Sequence, residues 1–217
     1  MTTERASSET HRLCTIAPVI PVLVVDQIKH AAPLAAALVA GGLPVLEVTL
    51  RTPVAHDVIK EMANVDGCIV GAGTLLSDVD VTSALEAGAK FGVSPGATDA
   101  LLRACETANL PLIPGSATVS EAMRLYERGY IVQKFFPAEA LGGTATLKAI
   151  SAPLPHVSFC PTGGISIMNA KDYLCLTNTL CVAGSWVAPS ILLKQEKWNT
   201  ISTLASEAAA LKVTLLK

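Results

Sequence analysis

The chain has 217 residues, with 16 Lys+Arg against 18 Asp+Glu, 51% hydrophobic and 16% charged residues. This balance excludes a disordered or collagen-like chain, and with no basic excess or Lys/Arg run it argues against nucleic acid as a partner. The length suits one domain with a sizeable core.

Apolar stretches at 15–25 and 31–46 are broken by Pro18, Pro21, Pro33 and Gly41-Gly42. They fall short of the roughly 18–20 unbroken apolar residues a membrane span needs, so no membrane association is expected. They read as buried parallel strands and the helices packed on them. The polar segment 1–15 lacks an apolar signal core, so no export signal is expected; it is assigned to closing the bottom of the fold. Cys14, Cys68, Cys105, Cys160, Cys175 and Cys181 form no CxxC pair. Reduced thiols in a cytoplasmic protein fit this pattern.

In chain order, β-branched runs fall at 18–25, 45–50, 68–70, 90–94, 112–114, 130–136, 157–160 and 179–183. Longer Ala/Leu-rich runs separate them. Asp26 is placed to cap the first intervening helix and Gly41-Gly42 to end it. Ser77-Asp78 opens another helix, which Gly88 closes. Thr98-Asp99 opens the next, with Asn109 near its end. Thr118 with Glu121 three residues on forms a capping box, and Gly129 stops that helix. Ser166 is expected to start the seventh helix, and a last helix covers about 197–211.

Strand starts recur about every 23 residues, the length of one strand, one helix and two short loops. Eight such units predict a closed (β/α)8 TIM barrel, with 1–217 as a single α/β domain. The rival doubly wound sheet expects a Gly-rich loop after the first strand, where this chain reads Val24-Val25-Asp26-Gln27.

In such a barrel, reactive groups gather at the carboxyl ends of the strands. Alternation in VLEVTLR (45–51) puts Leu46, Val48 and Leu50 on the helix-facing side and Glu47, Thr49 and Arg51 toward the interior. This reads either as a buried structural ion pair or as an acid/base carboxylate beside an anion-binding guanidinium. In the sixth strand Val132, Lys134 and Phe136 share one face. An inward lysine between apolar neighbours either snorkels at the strand end or is a desolvated nucleophile toward ketones and aldehydes, with Arg51 as a candidate neighbouring cation.

Gly71-Ala72-Gly73-Thr74, Thr162-Gly163-Gly164 and Gly184-Ser185 are small-residue strand ends suited to anions. The last two follow strands seven and eight, where barrels hold phosphate. His11, His30, His56 and His156 have no metal-ligand spacing and take surface or helix roles by default. Cys160 lacks a His partner and reads as packing, as do Trp186 and Trp198. No Walker or metal motif is present.

The motifs LEVTLR, GAGT, SPG, QKFFPAE and CPTGGI, in this order from about residue 18 to 189, closely resemble the 2-keto-3-deoxy-6-phosphogluconate (KDPG) and 4-hydroxy-2-oxoglutarate (KHG) aldolase family. The resemblance implies a Schiff-base aldolase on a (β/α)8 barrel, a cytoplasmic homotrimer of the Entner–Doudoroff pathway that needs neither metal nor cofactor. It implies Lys134 as the imine-forming lysine and Glu47 as general acid/base. Arg51 and Thr74 would meet the pyruvyl carboxylate, and Pro95 and Phe136 would line the pocket. Gly163, Gly164 and Ser185, with Thr162 beside them, would receive the substrate phosphate. The implied reaction cleaves KDPG to pyruvate and glyceraldehyde 3-phosphate, and KHG to pyruvate and glyoxylate. The alternatives are a 6-phosphogalactonate analogue as substrate, or a phosphate-sugar-binding barrel without catalysis. Family members often read Gly-Ile-Ser-Thr after the fifth strand, where this chain has Gly115-Ser116-Ala117-Thr118.

Overall fold

A computed structural model describes residues 3–211. The strands are β1 (Val19–Leu23), β2 (Val45–Thr49), β3 (Ile69–Gly73), β4 (Gly92–Val93), β5 (Leu112–Ile113), β6 (Gly115–Ser116), β7 (Val132–Phe135), β8 (Ser158–Pro161) and β9 (Val182–Gly184). The helices are α1 (Thr3–Ile16), α2 (Ala31–Ala40), α3 (Ala55–Met62), α4 (Asp78–Glu86), α5 (Asp99–Ala108), α6 (Val119–Glu127), α7 (Gly143–Ser151), α8 (Ala170–Leu174), α9 (Ser190–Lys194) and α10 (Trp198–Ala209). Each expected strand has a counterpart, and all strand pairs are parallel.

The pairing forms a six-stranded sheet, β5-β4-β3-β2-β1-β9, and a three-stranded sheet, β6-β7-β8. One continuous eight-stranded ring, as the spacing predicts, is therefore not what the ladders form. The break falls at Pro114, inside the expected fifth strand. Proline has no N–H to give a ladder, so β5 pairs with β4 before it and β6 pairs with β7 after it. Single bridges between Phe159 and Thr179 and between Thr162 and Ala183 link the two sheets on the other side.

Strand alternation sorts the apolar side chains into two clusters. Val19, Leu23, Leu46, Val48, Phe135, Phe159 and Val182 pack with the helices. Ile20, Val22, Val45, Val93, Ile113, Val132, Cys160 and Ala183 form a second cluster, which Leu13 and Cys14 of α1 join. Ser7 of α1 donates to the Gly129 carbonyl at 2.5 Å and accepts from the Ile131 amide at 3.2 Å, tying α1 to the start of β7. At the chain's other end α10 packs on α2. A Cβ on Gly41 would lie 2.4 Å from Ala205 Cβ, so glycine is what lets these helices touch.

The helix boundaries follow the side-chain chemistry closely. Ser77 and Thr118 each form a full capping box, with Asp80 and Glu121 as the returning carboxylates. Thr98 caps α5, and Asn109 ends it in the left-handed region. Two expectations fail. Asp26 does not cap α2, because a 3-10 turn (Ile28–His30) intervenes and His30 holds the cap position without a side-chain bond. Pro33 explains the later start, since proline fits the first turn of a helix but not its interior. Ser166 does not begin α8 either: its amide donates to Asn169 Oδ1 at 2.8 Å in a turn, and Asn169 is the cap residue. His30 is buried rather than superficial, with its ring edge-on to Trp198.

Candidate active site

Strand alternation carries Glu47 on β2 and Lys134 on β7 toward the same space from opposite sheets. Lys134 Nζ lies 3.3 Å from Glu47 Oε1, and their side chains are 8% and 2% exposed. A carboxylate and an amine buried this deeply are stable only through one another and what they face. The Lys134 amine also sits 5.3 Å from the Phe136 ring centroid. The backbone on both sides of the lysine is pinned: its amide donates to the Pro114 carbonyl at 2.9 Å, and it is in register with Gly115 on β6 and Cys160 on β8. Below the lysine, Cys160 and Cys181 place their sulfurs 3.5 Å apart, both buried.

Glu47 takes its position because Gly73 has no side chain. A Cβ there would lie 2.3 Å from Glu47 Oε1. Gly71 likewise leaves room for the Phe91 ring, 2.5 Å from where a Cβ would be. The glycines of the GAGT run thus serve as clearances inside β3. Thr74, which follows, has φ 66°. A β-branched residue seldom enters that region, and such strain clusters at working sites.

These residues open into a cavity of about 320 Å³. It collects Glu47, Arg51, Thr74, Pro95, Lys134, Phe136, Thr162, Gly163, Gly164 and Ser185, every site residue expected from the sequence. Arg51 is the one placed differently. It is exposed at the rim and makes no ion pair with Glu47 among the described residues. β2 ends at Thr49, and the strand alternation that would have turned Arg51 inward ends with it. The structural Glu47–Arg51 pair is thereby replaced by a Glu47–Lys134 pair.

Across the cavity, Gly163 and Gly164 adopt φ 100° and 79°. The amides of Gly164, Ile165 and Ser185 donate to no protein acceptor among the described residues. Such a turn of free amides beside a hydroxyl suits an anion. Val22, Thr49, Ile165, Ala183 and Gly184 complete the lining. Of these, Thr49 stood out in the sequence through alternation, and Gly184 as a small-residue strand end. The apolar ones carry no chemical signal, though their places near the ends of β1, β8 and β9 mark them in retrospect. A larger surface groove of about 600 Å³ between α4 and α5 has no buried acid–base pair.

The Ser116 position, where the chain departs from the commoner Gly-Ile-Ser-Thr, lies behind the site. Ser116 donates to Gln133 Oε1 at 3.0 Å, and Gln133 Nε2 donates to the carbonyls of Ala122 and Tyr130, each at 3.0 Å. The buried amide is thus satisfied on the helix side of β7, and neither Ser116 nor Gln133 lines the cavity.

Comparison with known proteins gives this arrangement its relatives. The family model described as KDPG and KHG aldolase matches residues 10–204. The chain belongs to the KDPG and KHG aldolase family. It is 50% identical over 197 residues to the KHG/KDPG aldolase of Escherichia coli (strain K12), covering 90% of this chain and 92% of that one. The KDPG aldolase of Zymomonas mobilis ZM4, solved with 3-phosphoglycerate, superposes with a TM-score of 0.92 at 44% identity, covering 97% of this chain and 100% of that one. The KDPG aldolase of Legionella pneumophila, solved with pyruvate captured at low pH as a covalent carbinolamine intermediate, gives 0.89 at 46% identity over 92% and 97% of the two chains. The α/β architecture with its parallel sheets is therefore that of the KDPG aldolases, and the chain is an aldolase of this family.

Proposed function

We propose that the chain cleaves 2-keto-3-deoxy-6-phosphogluconate to pyruvate and glyceraldehyde 3-phosphate through an imine on Lys134, and accepts 4-hydroxy-2-oxoglutarate by the same route. The observation that carries this reading is the buried Lys134–Glu47 pair, 3.3 Å apart, opening on a cavity whose far wall is the Gly163-Gly164 turn. A phosphorylated 2-keto acid spans such a site, with its carbonyl at the amine and its phosphate at the free amides. The Legionella relative captured pyruvate as a covalent carbinolamine, and the Zymomonas one was solved with 3-phosphoglycerate; both support this chemistry and ligand class.

In this mechanism the Lys134 amine attacks the keto carbon, and Glu47 is placed to receive a proton from it. Glu47 passes that proton to the carbinolamine hydroxyl, and loss of water leaves a protonated imine that withdraws electrons from the bond to be broken. Glu47 takes the proton of the hydroxyl on carbon four, directly or through water, as the bond between carbons three and four breaks. Glyceraldehyde 3-phosphate departs and an enamine remains. Glu47 returns a proton to the enamine carbon, and hydrolysis releases pyruvate and the free lysine. Arg51 at the rim and Thr74 hold the carboxylate, a bidentate task that suits a guanidinium. Pro95 and Phe136 flank the reacting carbons, and Thr162 lies beside the phosphate turn. The imine nitrogen is the electron sink, so the chemistry requires no metal.

The test is borohydride trapping with pyruvate. The expected result is a stable adduct on the peptide bearing Lys134, lost in Lys134→Ala and retained in Glu47→Gln. Glu47→Gln should slow proton exchange at the pyruvate methyl by about 10²–10⁴-fold. An adduct persisting in Lys134→Ala, or activity abolished by a chelator, would overturn the mechanism.

We infer that the eight βα units close into one (β/α)8 barrel, with the segment 112–116 counted as one strand and the bridges from Phe159 and Thr162 joining its two sheets. Leu13 and Cys14, buried in the interior cluster, fit α1 as its floor. Family resemblance supports a homotrimer, which sedimentation equilibrium would read directly. The free cysteines of the described residues suit a reducing, cytoplasmic compartment.

A further inference from the structure

The Gly163-Gly164 turn does not stand alone. Two backbone bonds continue past the ends of the β7–β8 ladder: the Ala138 amide donates to the Thr162 carbonyl at 2.8 Å, and the Glu139 amide to the Gly163 carbonyl at 3.1 Å. The Glu139 side chain then lies flat against Gly164. A Cβ on Gly164 would be 2.5 Å from Glu139 Cγ and 2.7 Å from its Cβ. The carboxylate at the end of that side chain accepts a hydrogen bond from the Tyr173 hydroxyl. Tyr173 lies on α8 and is fully buried. Burial, and then the Glu139 carboxylate, hold its phenol above the ordinary range, so it stays a donor at any physiological pH.

Two further contacts complete the brace. Gly143, at the start of α7 with φ 59°, leaves room for the pair: a Cβ there would lie 2.9 Å from the Tyr173 oxygen and 3.1 Å from Glu139 Oε1. From the other side, Asn169 Nδ2 donates to the Gly164 carbonyl at 3.1 Å. Neither Glu139 nor Tyr173 lines the cavity. A carboxylate near a phosphate site would repel its ligand; here it is turned away and held by a phenol.

We propose that Glu139 and Tyr173 are positioning residues that fix the Gly163-Gly164 turn relative to the Lys134 segment, and so set the reach of the cavity for a phosphorylated substrate. Glu139 belongs to the chain that runs on from Lys134, and Tyr173 to the unit that carries the turn. Their bond is a spacer between the imine carbon and the phosphate. This inference rests on the reading of that turn as the phosphate site.

The experiment compares steady-state kinetics on the phosphorylated substrate and on unphosphorylated 4-hydroxy-2-oxoglutarate, for wild type, Tyr173→Phe, Glu139→Ala and Glu139→Gln. Tyr173→Phe and Glu139→Ala should raise KM for the phosphorylated substrate by about 5- to 20-fold, the low end for loss of a charge-assisted hydrogen bond, because the pair acts on the phosphate only through the turn. Their kcat, their KM for 4-hydroxy-2-oxoglutarate and their borohydride trapping with pyruvate should stay within about twofold, since Lys134 and Glu47 are untouched. Glu139→Gln keeps an oxygen for the Tyr173 hydroxyl and should stay near wild type. Equal KM increases on both substrates would reduce the pair to general structural support and overturn the inference. So would an unchanged KM in Tyr173→Phe while wild type prefers the phosphorylated substrate. A wild type without that preference would remove the phosphate site itself and the inference with it, while trapping on Lys134 would still stand.

Discussion

Glu47 and Gly73 form a pair in which a catalytic assignment depends on a missing atom. The carboxylate reaches Lys134 across the space where a β3 side chain would project, 2.3 Å from Glu47 Oε1 at its Cβ. Gly73→Ala keeps every titratable group and moves one of them. Because both β3 and the carboxylate are buried, the side chain has little room to give except away from the lysine. We expect kcat to fall about 10²-fold, as misplacement of a proton-transfer group by an ångström commonly does. Imine trapping with pyruvate should persist, and circular dichroism should be unchanged. A variant with wild-type kcat would show that Glu47 has slack the packing does not suggest. Thr74, one residue on, marks the same economy of space, with a left-handed backbone that glycine would hold at no cost.

At the scale of elements, the helices owe their starts to local chemistry, and α6 is the clearest case. Thr118 accepts from the Glu121 amide at 3.2 Å, and Glu121 accepts from the Ala117 and Thr118 amides at 2.8 and 2.9 Å. The Ala117 amide first, then the Thr118 groups, hold the Glu121 carboxyl below the usual carboxylate range. A folded value below the unfolded one means stabilisation that is complete above the unfolded value, about 4.3, and is lost as pH falls through the folded value. Thr118→Ala should therefore cost about 1 kcal/mol near neutral pH and lower Tm by a few degrees. The difference from wild type should shrink in acid, where Glu121 is protonated and the box is already weakened. A pH-independent difference in thermal melts would assign the whole cost to the Thr118 hydroxyl.

At the scale of the molecule, the C-terminal helix α10 packs on α2, from the first fifth of the chain. A Cβ at Gly41 would fall 2.4 Å from Ala205 Cβ and 2.6 Å from the Ser202 carbonyl oxygen. Backbone and a core alanine yield little, so Gly41→Ala should destabilise by about 1–3 kcal/mol through overpacking. Urea unfolding should show a lower midpoint with an unchanged slope. The cavity lies at the strand ends, away from this contact, so kcat at moderate temperature should hold. A neutral or stabilising outcome would mean that α10 slides on α2 without consequence.

The sequence by itself determined the parallel α/β pattern, the positions of the strands, the helix starts at Ser77, Thr98, Thr118 and near Lys197, and the inward placement of Glu47 and Lys134. Period-two alternation, capping chemistry and the cost of burying charge are local rules, and VLEVTLR and QKFFPAE obey them visibly. The tertiary structure alone decided what those residues face. Glu47 pairs with Lys134 rather than Arg51 because β2 stops before Arg51. Pro114 splits one expected strand between two sheets. Gly73 clears space for the Glu47 carboxylate, and Gly164 for the stem of Glu139. The Glu139–Tyr173 brace had no signature, since a buried phenol finds its acceptor only when two units distant in the chain are packed side by side.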